Sequence, residues 1–415
     1  MMEEKKLVPK KRFEGYIGAW KKTFIGNEAI ILTGGTPNTS KKEYWEPKEI
    51  PWMSSGEINK GRLYNTDDKI SNQGLENSSA RWIPQFSVLI ALAGQGKTRG
   101  KVSINNIQLT TNQSIAAMIP KSTLKSEFLY QNFSKRYEEI RSYSSGDGSR
   151  GGLNKKIIED IVIFLPSENE QQKIGEFFKV LDERIANQER KISKVKALKE
   201  AYLTEMFPQE GETVPKRRFK GFQGEWEKFS LENIGNTFSG MSGKTKNDFG
   251  HGEAKFVTYV NVFNNPISDE AGLEQVILDD KQTTLKYGDI LFTTSSETPD
   301  EVGMSSVWLF DKPNVYLNSF CFGFRLKIKM DQYFIGFLLR ANQFRKQMKI
   351  LSQGISRYNI SKNKVMEIEI LLPSIEEQHK IGKFFKNLDD QTRAEESKLE
   401  KLKKMKEAYL EEMFV

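Results

Sequence analysis

The chain is written twice. "VPKKRFEGYIGAW" from Val8 returns as "VPKRRFKGFQGEW" from Val214, and "LPSENEQQKIGEFFKVLDERI" from Leu165 returns as "LPSIEEQHKIGKFFKNLDDQT" from Leu372. Between Leu165 and Phe207, 25 of 43 positions equal their counterparts. A period of about 207 residues lies far beyond solenoid repeats, so a whole folding unit is duplicated.

Each copy has two unlike parts. The first is about 150 residues of short apolar runs broken by Gly, Ser and Asn, such as "SVLIAL" (87–92), "GDILFTT" (288–294) and "NVYLNSFCFGFRLKI" (314–328). These read as strands of a mixed domain with a few helices. Helices are expected over "LKSEFLYQNFSKRYEEIRSY" (124–143) and "DQYFIGFLLRANQFRKQMKIL" (331–351). The two middles match poorly, as expected where two different targets are read.

The second part predicts a long helix. Ser167 and Ser374 stand as N-caps before acidic residues,. Ile174, Phe178, Leu181, Ile185, Gln188, Ile192 and Val195 then step by four and three, with Leu198 and Tyr202 carrying the stripe on,. In the second copy the stripe is Ile381, Phe385, Leu388, Thr392, Glu395, Leu399, Leu402, Met405 and Tyr409. The stripe is narrow and its flanks are charged, so the two helices are expected to pair antiparallel, each roughly 57 Å long for about 38 residues. Thr392 and Glu395 are polar seam positions of the kind that fix register.

Composition limits the chemistry. The formal net charge of +8 fits a polyanionic partner. One cysteine, Cys321, and two histidines, His251 and His379, leave no disulfide framework and almost no material for a metal centre or a histidine triad. With no signal-peptide pattern and no apolar run near the ~20 residues that span a bilayer, a cytoplasmic setting and no membrane are expected.

One segment points elsewhere. Gly96, Lys97 and Thr98 in "VLIALAGQGKTRGKV" spell the end of a phosphate-binding loop,. The first glycine of that motif is missing, since its place is Ala91, and "RGKVSINNIQL" beyond it shows no helical period,. A P-loop ATPase is therefore the weaker reading. "FSGMSG" (238–243) reads as a flexible turn, and "TPDE" (298–301) lacks the lysine of a nuclease motif.

The organisation resembles the specificity subunit of Type I restriction–modification systems. The residues that carry the resemblance are "LPSxxEQxKIGxFF" at 165–178 and 372–385, and "RFxGFxGEW" at 218–226 with its looser copy at 12–20. "GDILFTTSSETPDEVG" (288–303) and "SRGGLNKKIIEDIVIFLP" (149–166) are similar to strand-and-loop segments of that family. The resemblance implies an α+β fold, with two pseudo-twofold-related mixed α/β target recognition domains separated by two long antiparallel coiled-coil helices. The expected segments are recognition domains at 1–165 and 211–372 and spacer helices at 166–210 and 373–415. The helix-pairing residues would be Ile174, Phe178, Leu181, Ile185, Ile192 and Val195 against Ile381, Phe385, Leu388, Leu399 and Leu402.

The resemblance further implies that each domain reads half of a bipartite, asymmetric site in double-stranded DNA. The helices would set the spacer and dock two modification subunits that methylate adenine, with restriction subunits joining for cleavage. S-adenosyl-methionine, ATP and Mg would belong to those partners, leaving this chain with no catalytic residue, cofactor or metal. A duplicated adaptor without DNA specificity is the alternative.

Contacts with DNA divide into phosphate clamps and base readers. In the first copy the loop Gly94, Gln95, Lys97, Thr98 and Arg99 carries suitable types, and its counterpart is Thr293, Thr294, Ser295, Ser296, Glu297 and Thr298. A second pair aligns Ser149 and Arg150 with Ser356 and Arg357. Gly151 and Gly152 there face Tyr358 and Asn359, which differ and so suit discrimination. A third candidate is Ser54, Ser55, Glu57, Asn59, Lys60 and Arg62, opposite Tyr259, Asn261, Asn264 and Asn265. Trp20 and Trp226 read as core anchors of the two domains.

Overall fold

The computed structural model describes residues 7–94, 98–143 and 152–415. It divides into two compact units: residues 1–189 with 398–415, and residues 190–397.

In unit 1 the strands are β1 (Lys21–Phe24), β2 (Ala29–Thr33), β3 (Ile50–Met53), β4 (Arg62–Leu63), β5 (Asp68–Ile70), β6 (Val88–Ala91), β7 (Val102–Asn105), β8 (Thr110–Thr111), β9 (Ile115–Pro120) and β10 (Val162–Leu165). They form a main sheet in the order β2-β9-β6-β7-β4, a small sheet β5-β3-β8 and the pair β1-β10. "VLIA" of β6 is buried at all four positions, as a short apolar run covered on both faces should be.

Unit 2 repeats the plan. Its strands are β11 (Glu227–Ser230), β12 (Gly235–Ser239), β13 (Phe249–Val257), β14 (Leu273–Val276), β15 (Ile290–Thr293), β16 (Ser295–Ser296), β17 (Ser305–Val307), β18 (Val315–Leu317), β19 (Cys321–Leu326), β20 (Tyr358–Asn359) and β21 (Glu369–Leu372). The order β12-β19-β15-β17 matches β2-β9-β6-β7, β14-β13-β18 matches β5-β3-β8, and β11-β21 matches β1-β10. The β16-β20 pair is described in unit 2 alone.

Both long helices form, at Glu168–Glu205 and Ile375–Met413. Ser167 Oγ accepts from Glu170 N at 3.4 Å and Ser374 Oγ from Glu377 N at 3.3 Å, so both serines are the expected caps. Within each unit the helices run antiparallel. Unit 1 pairs Asp182 with Lys406 at 2.6 Å and Glu189 with Lys403 at 2.6 Å. Unit 2 pairs Asp389 with Lys199 at 2.5 Å and Glu395 with Lys191 at 2.6 Å.

Ile174, Phe178, Leu181, Ile192, Val195, Ile381, Phe385 and Leu388 are buried, while Ile185, Leu399 and Leu402 are half-buried. Leu198 departs from the expected stripe and is 45% exposed. The facing position goes to Lys199, which reaches Asp389 and lies over the Phe337 ring at 5.0 Å. Burying its aliphatic stem while the ammonium finds a carboxylate satisfies both halves of that side chain.

The repeated motif residues connect the parts of each unit. Arg12 forms a two-pronged ion pair with buried Glu170 at 2.7 and 2.6 Å, and Arg218 does the same with Glu377 at 2.7 and 2.7 Å. Gln171 Oε1 accepts from Lys125 N at 3.0 Å and Gln378 Oε1 from Asp331 N at 3.2 Å, tying each long helix to the start of a shorter one. A Cβ on Gly175 would lie 2.8 Å from Glu127 Cβ, and one on Gly382 would lie 2.7 Å from the amide nitrogen of Phe334. Glycine thus allows the close helix crossing.

Trp20 and Trp226 are core residues, 2% and 3% exposed. Trp20 meets Phe128 and Phe414 edge-on at 5.7 and 6.2 Å, and Trp226 meets Phe334 and Phe207 at 5.9 and 6.2 Å. Each helix predicted in the middles is two. In unit 1 they are Ser126–Lys135 and Tyr137–Ser142; in unit 2, Gln332–Leu338 and Asn342–Ile350. At the first break Arg136 donates to Val162 O at 2.8 Å. At the second, Arg340 donates to the carbonyls of Ser305, Val262 and Phe263 at 2.8 to 2.9 Å. Arginine bonds to backbone of other segments bend a pattern that is helical in sequence.

Phe414→Ala and Phe207→Ala each remove a buried ring from such an aromatic cluster. Each is expected to cost about 3–5 kcal/mol, measured by urea unfolding followed through tryptophan fluorescence. A loss under about 1 kcal/mol would contradict the packing argument.

Candidate nucleic-acid interface

Three segments distant in sequence meet at one edge of each main sheet. In unit 1, Leu92 N donates to Ser114 O at 2.8 Å and Leu92 O accepts from Leu153 N at 2.9 Å. In unit 2, Thr294 N donates to Phe320 O at 3.0 Å and Thr294 O accepts from Ile360 N at 2.9 Å. One residue just past a central strand thus holds the turn before β9 or β19 and the strand-like segment after the short helices. These backbone contacts are the same in both units, although the side chains differ.

The loops at this edge are the predicted ones. β6 and β7 pair antiparallel with Val88 opposite Ile104, and β15 and β17 with Ile290 opposite Val307. Their connections, 92–101 and 294–304, are therefore equivalent. Gly100 and Gly303 close them with φ of +83° and +63°, a conformation that favours glycine. At the front of the first loop Gly94 has φ +140° and packs against Thr98. Thr98 and Arg99 are half-buried, and Lys101 donates to Asn59 Oδ1 at 2.8 Å. Gln95, Lys97, Ser149, Arg150 and Gly151 lie outside the described residues. After Thr98 the chain enters strand β7 rather than a helix, so the G-K-T segment lacks the helix N-terminus that a phosphate-binding loop uses.

In unit 2 the structure joins two candidate segments. Ser295 pairs with Asn359 and Ser296 with Tyr358 across β16 and β20, and Arg357 Nη2 donates to Ser295 Oγ at 3.1 Å. Ser295 and Ser296 are buried. That corrects the picture of a hydroxyl-presenting loop: Ser296 Oγ and Thr298 Oγ1 both turn to Glu301, at 3.3 and 2.8 Å, and Thr294 Oγ1 to Phe320 O at 2.9 Å. Short hydroxyl side chains here satisfy their own loop. Glu297, Thr298, Arg357 and Asn359 remain exposed, with Thr294 and Tyr358 half-buried.

The third candidate is architectural in both units. Ser54 and buried Glu57 form a capping box, and Lys60 is paired with Glu57 and Asp67. Arg62 is held by Glu127 at 2.6 Å and Asp182 at 2.9 Å. Burial works against its charge, but the two carboxylates outweigh it and raise its pKa. Asn261 is buried and donates to Asp269 O at 2.7 Å. Tyr259 serves the interface indirectly, since its hydroxyl donates to Ser295 O at 2.5 Å.

Two features were missed by the sequence reading. Phe320, 56% exposed, looked like part of a strand, although Asn318 two residues earlier signals a side-chain-capped turn. Arg345 was read as part of a helix surface, yet it donates to the carbonyls of Val302, Gly303 and Asp300 at 2.5, 2.8 and 2.9 Å and so holds the stem of the 294–304 loop. Burial pushes its pKa down to about 10, which leaves it charged at neutral pH.

Among the described residues, no group of three or more His, Cys, Asp or Glu side chains is placed to hold a metal ion, and no helix is long and apolar enough to cross a membrane.

A strand order repeated in two units, one loop-bearing edge on each, and paired long helices define a tandem recognition protein rather than a single-site one. The family model for the Type I restriction modification DNA specificity domain matches residues 18–197 and again 223–404, and the chain belongs to that family. It is 23% identical to the Type I restriction enzyme MjaVIII specificity subunit of Methanocaldococcus jannaschii, over 93% of this chain and 90% of that one. It is 29% identical to the EcoR124I/EcoR124II specificity subunit of Escherichia coli over 39% of this chain, and spans 40% of that relative. The S subunit structure from M. genitalium superposes with a TM-score of 0.62 over 98% of this chain and 99% of that one, at 15% identity.

Arg345→Met keeps the apolar stem but removes three carbonyl contacts. The expected result is faster amide hydrogen exchange at 300–304 and a global stability loss of about 2–3 kcal/mol. Unchanged exchange there would show that the loop stem holds itself.

Proposed function

We propose that this chain is the sequence-reading subunit of a Type I restriction–modification assembly, with each unit reading one half of a bipartite, asymmetric site in double-stranded DNA. The observation that carries this reading is the repeated three-segment junction at Leu92 and Thr294, an identical backbone frame with different side chains. Two unlike half-sites require that combination: one way of placing loops, two sets of readers. Family membership supports the same reading.

Arg357 and Asn359, with Glu297 and Thr298, form the polar face of the second reader. Glu297 is suited to accept from a cytosine amino group and Asn359 to pair with adenine. Arg357 supplies a phosphate or guanine contact. In the first reader Gly94, Gln95, Lys97, Thr98 and Arg99 take the corresponding place, with Ser149 and Arg150 beside them.

The paired helices fix the separation of the half-sites and offer charged outer faces to two modification subunits, which would bring S-adenosyl-methionine and methylate adenine N6. Restriction subunits would bring ATP and Mg for translocation and cleavage. This chain then acts by positioning alone.

The reading is tested by sequencing N6-methyladenine in genomes with and without this chain, with the modification gene expressed. One bipartite motif should lose methylation on deletion; a methylome that does not change sinks the proposal. At residue level, Arg357→Ala should weaken binding about three- to tenfold on cognate duplex and lower the slope of log K against log salt by about one. Lys97→Ala should do the same in the first reader. A salt slope unchanged in both variants would remove these residues from the phosphate-clamping set.

A further inference from the structure

The turn before the inner strand β9 or β19 is built the same way in both units. In unit 1, Asn112 Oδ1 accepts from Ser114 N at 3.1 Å, and Ser114 O accepts from Leu92 N at 2.8 Å. In unit 2, Asn318 Oδ1 accepts from Phe320 N at 2.8 Å, and Phe320 O accepts from Thr294 N at 3.0 Å and from Thr294 Oγ1 at 2.9 Å. Cys321 N completes the second turn by donating to Asn318 O at 3.0 Å. The same frame therefore presents Gln113 and Ser114 in one unit and Ser319 and Phe320 in the other.

A single exposed phenyl group is ordinary on a protein surface. Three things set Phe320 apart. Its backbone is fixed by those hydrogen bonds, so the ring has a defined base to stand on. It belongs to the three-segment junction and lies beside Thr294, with the Arg357 guanidinium 5.8 Å from its ring centroid. Its counterpart in the other unit is a small polar residue, so the fold does not require a ring there. An apolar group held among polar readers has one partner on a base edge, the thymine 5-methyl group, which projects into the major groove and takes contact from Phe side chains.

Resting on the proposed DNA-reading function, we infer that Phe320 is a base-discriminating residue of the second unit and reads a thymine through its methyl group. Arg357, over the same ring, keeps the phenyl in place while engaging the DNA itself. The first unit, with Ser114 and Gln113 on the equivalent turn, reads a different base at the corresponding position.

The test uses the full chain assembled with its modification subunits, after the methylation motif of the wild type is known. Each thymine in the motif is replaced in turn by uracil, which removes only the methyl group. One replacement should weaken wild-type binding about tenfold and leave Phe320→Ala unaffected. Cells carrying Phe320→Ala, or Phe320→Ser in imitation of Ser114, should methylate a motif relaxed at that one position, with the other half-site unchanged. Both substitutions are at an exposed side chain, and a thermal melt equal to the wild type establishes that the variants fold.

The inference is overturned if no uracil replacement distinguishes wild type from Phe320→Ala. It is equally overturned if the variant loses affinity to the same extent on cognate and unrelated duplex, which would make the ring a support for the turn. Absence of any sequence-specific binding by the wild-type complex is a separate result, and that one sinks the DNA-reading function itself.

Discussion

Everything in this chain depends on how its long helices end. Phe414, at the close of the second helix, packs on Trp20, Phe128 and Phe178 of unit 1, and Phe207, at the close of the first, packs on Trp226, Phe334 and Phe385 of unit 2. Neither unit is made from one copy of the repeat: unit 1 takes residues 398–415, and unit 2 takes residues from 190 on. A buried aromatic ring contributes several kcal/mol, so each core is stable only with the other copy's helix in register. The ion pairs Lys406–Asp182 and Lys199–Asp389 occupy equivalent places and enforce that same register. Duplication followed by exchange of helix ends makes the two units interdependent, while the sheets of each remain free to diverge.

This division of labour explains where the repeat is preserved and where it is lost. In "LPSxxEQxKIGxFF" each repeated position has a mechanical role. Serine caps the helix, glutamate holds the arginine of the opening segment, glutamine binds the start of a neighbouring helix, and glycine permits its approach. None of these residues faces the loop-bearing edge. The loops at that edge retain the backbone junction but not the side chains. Selection on a frame and selection on its readers act on different atoms of the same segment, the backbone amide of Thr294 in one case and the ring of Phe320 in the other.

The long helices, their serine caps and most of their seam were legible because those features are local and periodic: burial at every third or fourth residue repeats along the chain. The exception, Leu198, fails because Lys199 has a partner across the seam that the pattern cannot reveal. The breaks at Arg136 and Arg340 were not legible for a related reason. Their guanidinium groups bond carbonyls contributed by residues 162, 305, 262 and 263, and no local window contains those partners. Equivalence of the loops 92–101 and 294–304 could be read by aligning the copies, since it needs only strand order. That Ser295 and Ser296 are buried could not, because it depends on pairing with Tyr358 and Asn359 some sixty residues away.

The G-K-T segment shows the same principle from the other side. Three residues in the right order suggested a nucleotide, but a phosphate cradle is defined by the element behind it, a helix whose first amides converge on the anion. Here β7 comes next and pairs back onto β6, with Val102 opposite Ile90. A hairpin connection of this kind places its backbone at the rim of a sheet, where an extended polyanion has access and a buried triphosphate has no enclosure. The motif's lysine thus keeps its affinity for phosphate while the fold changes which phosphate it can meet, and that makes the neighbouring arginine and threonine part of a surface rather than a pocket.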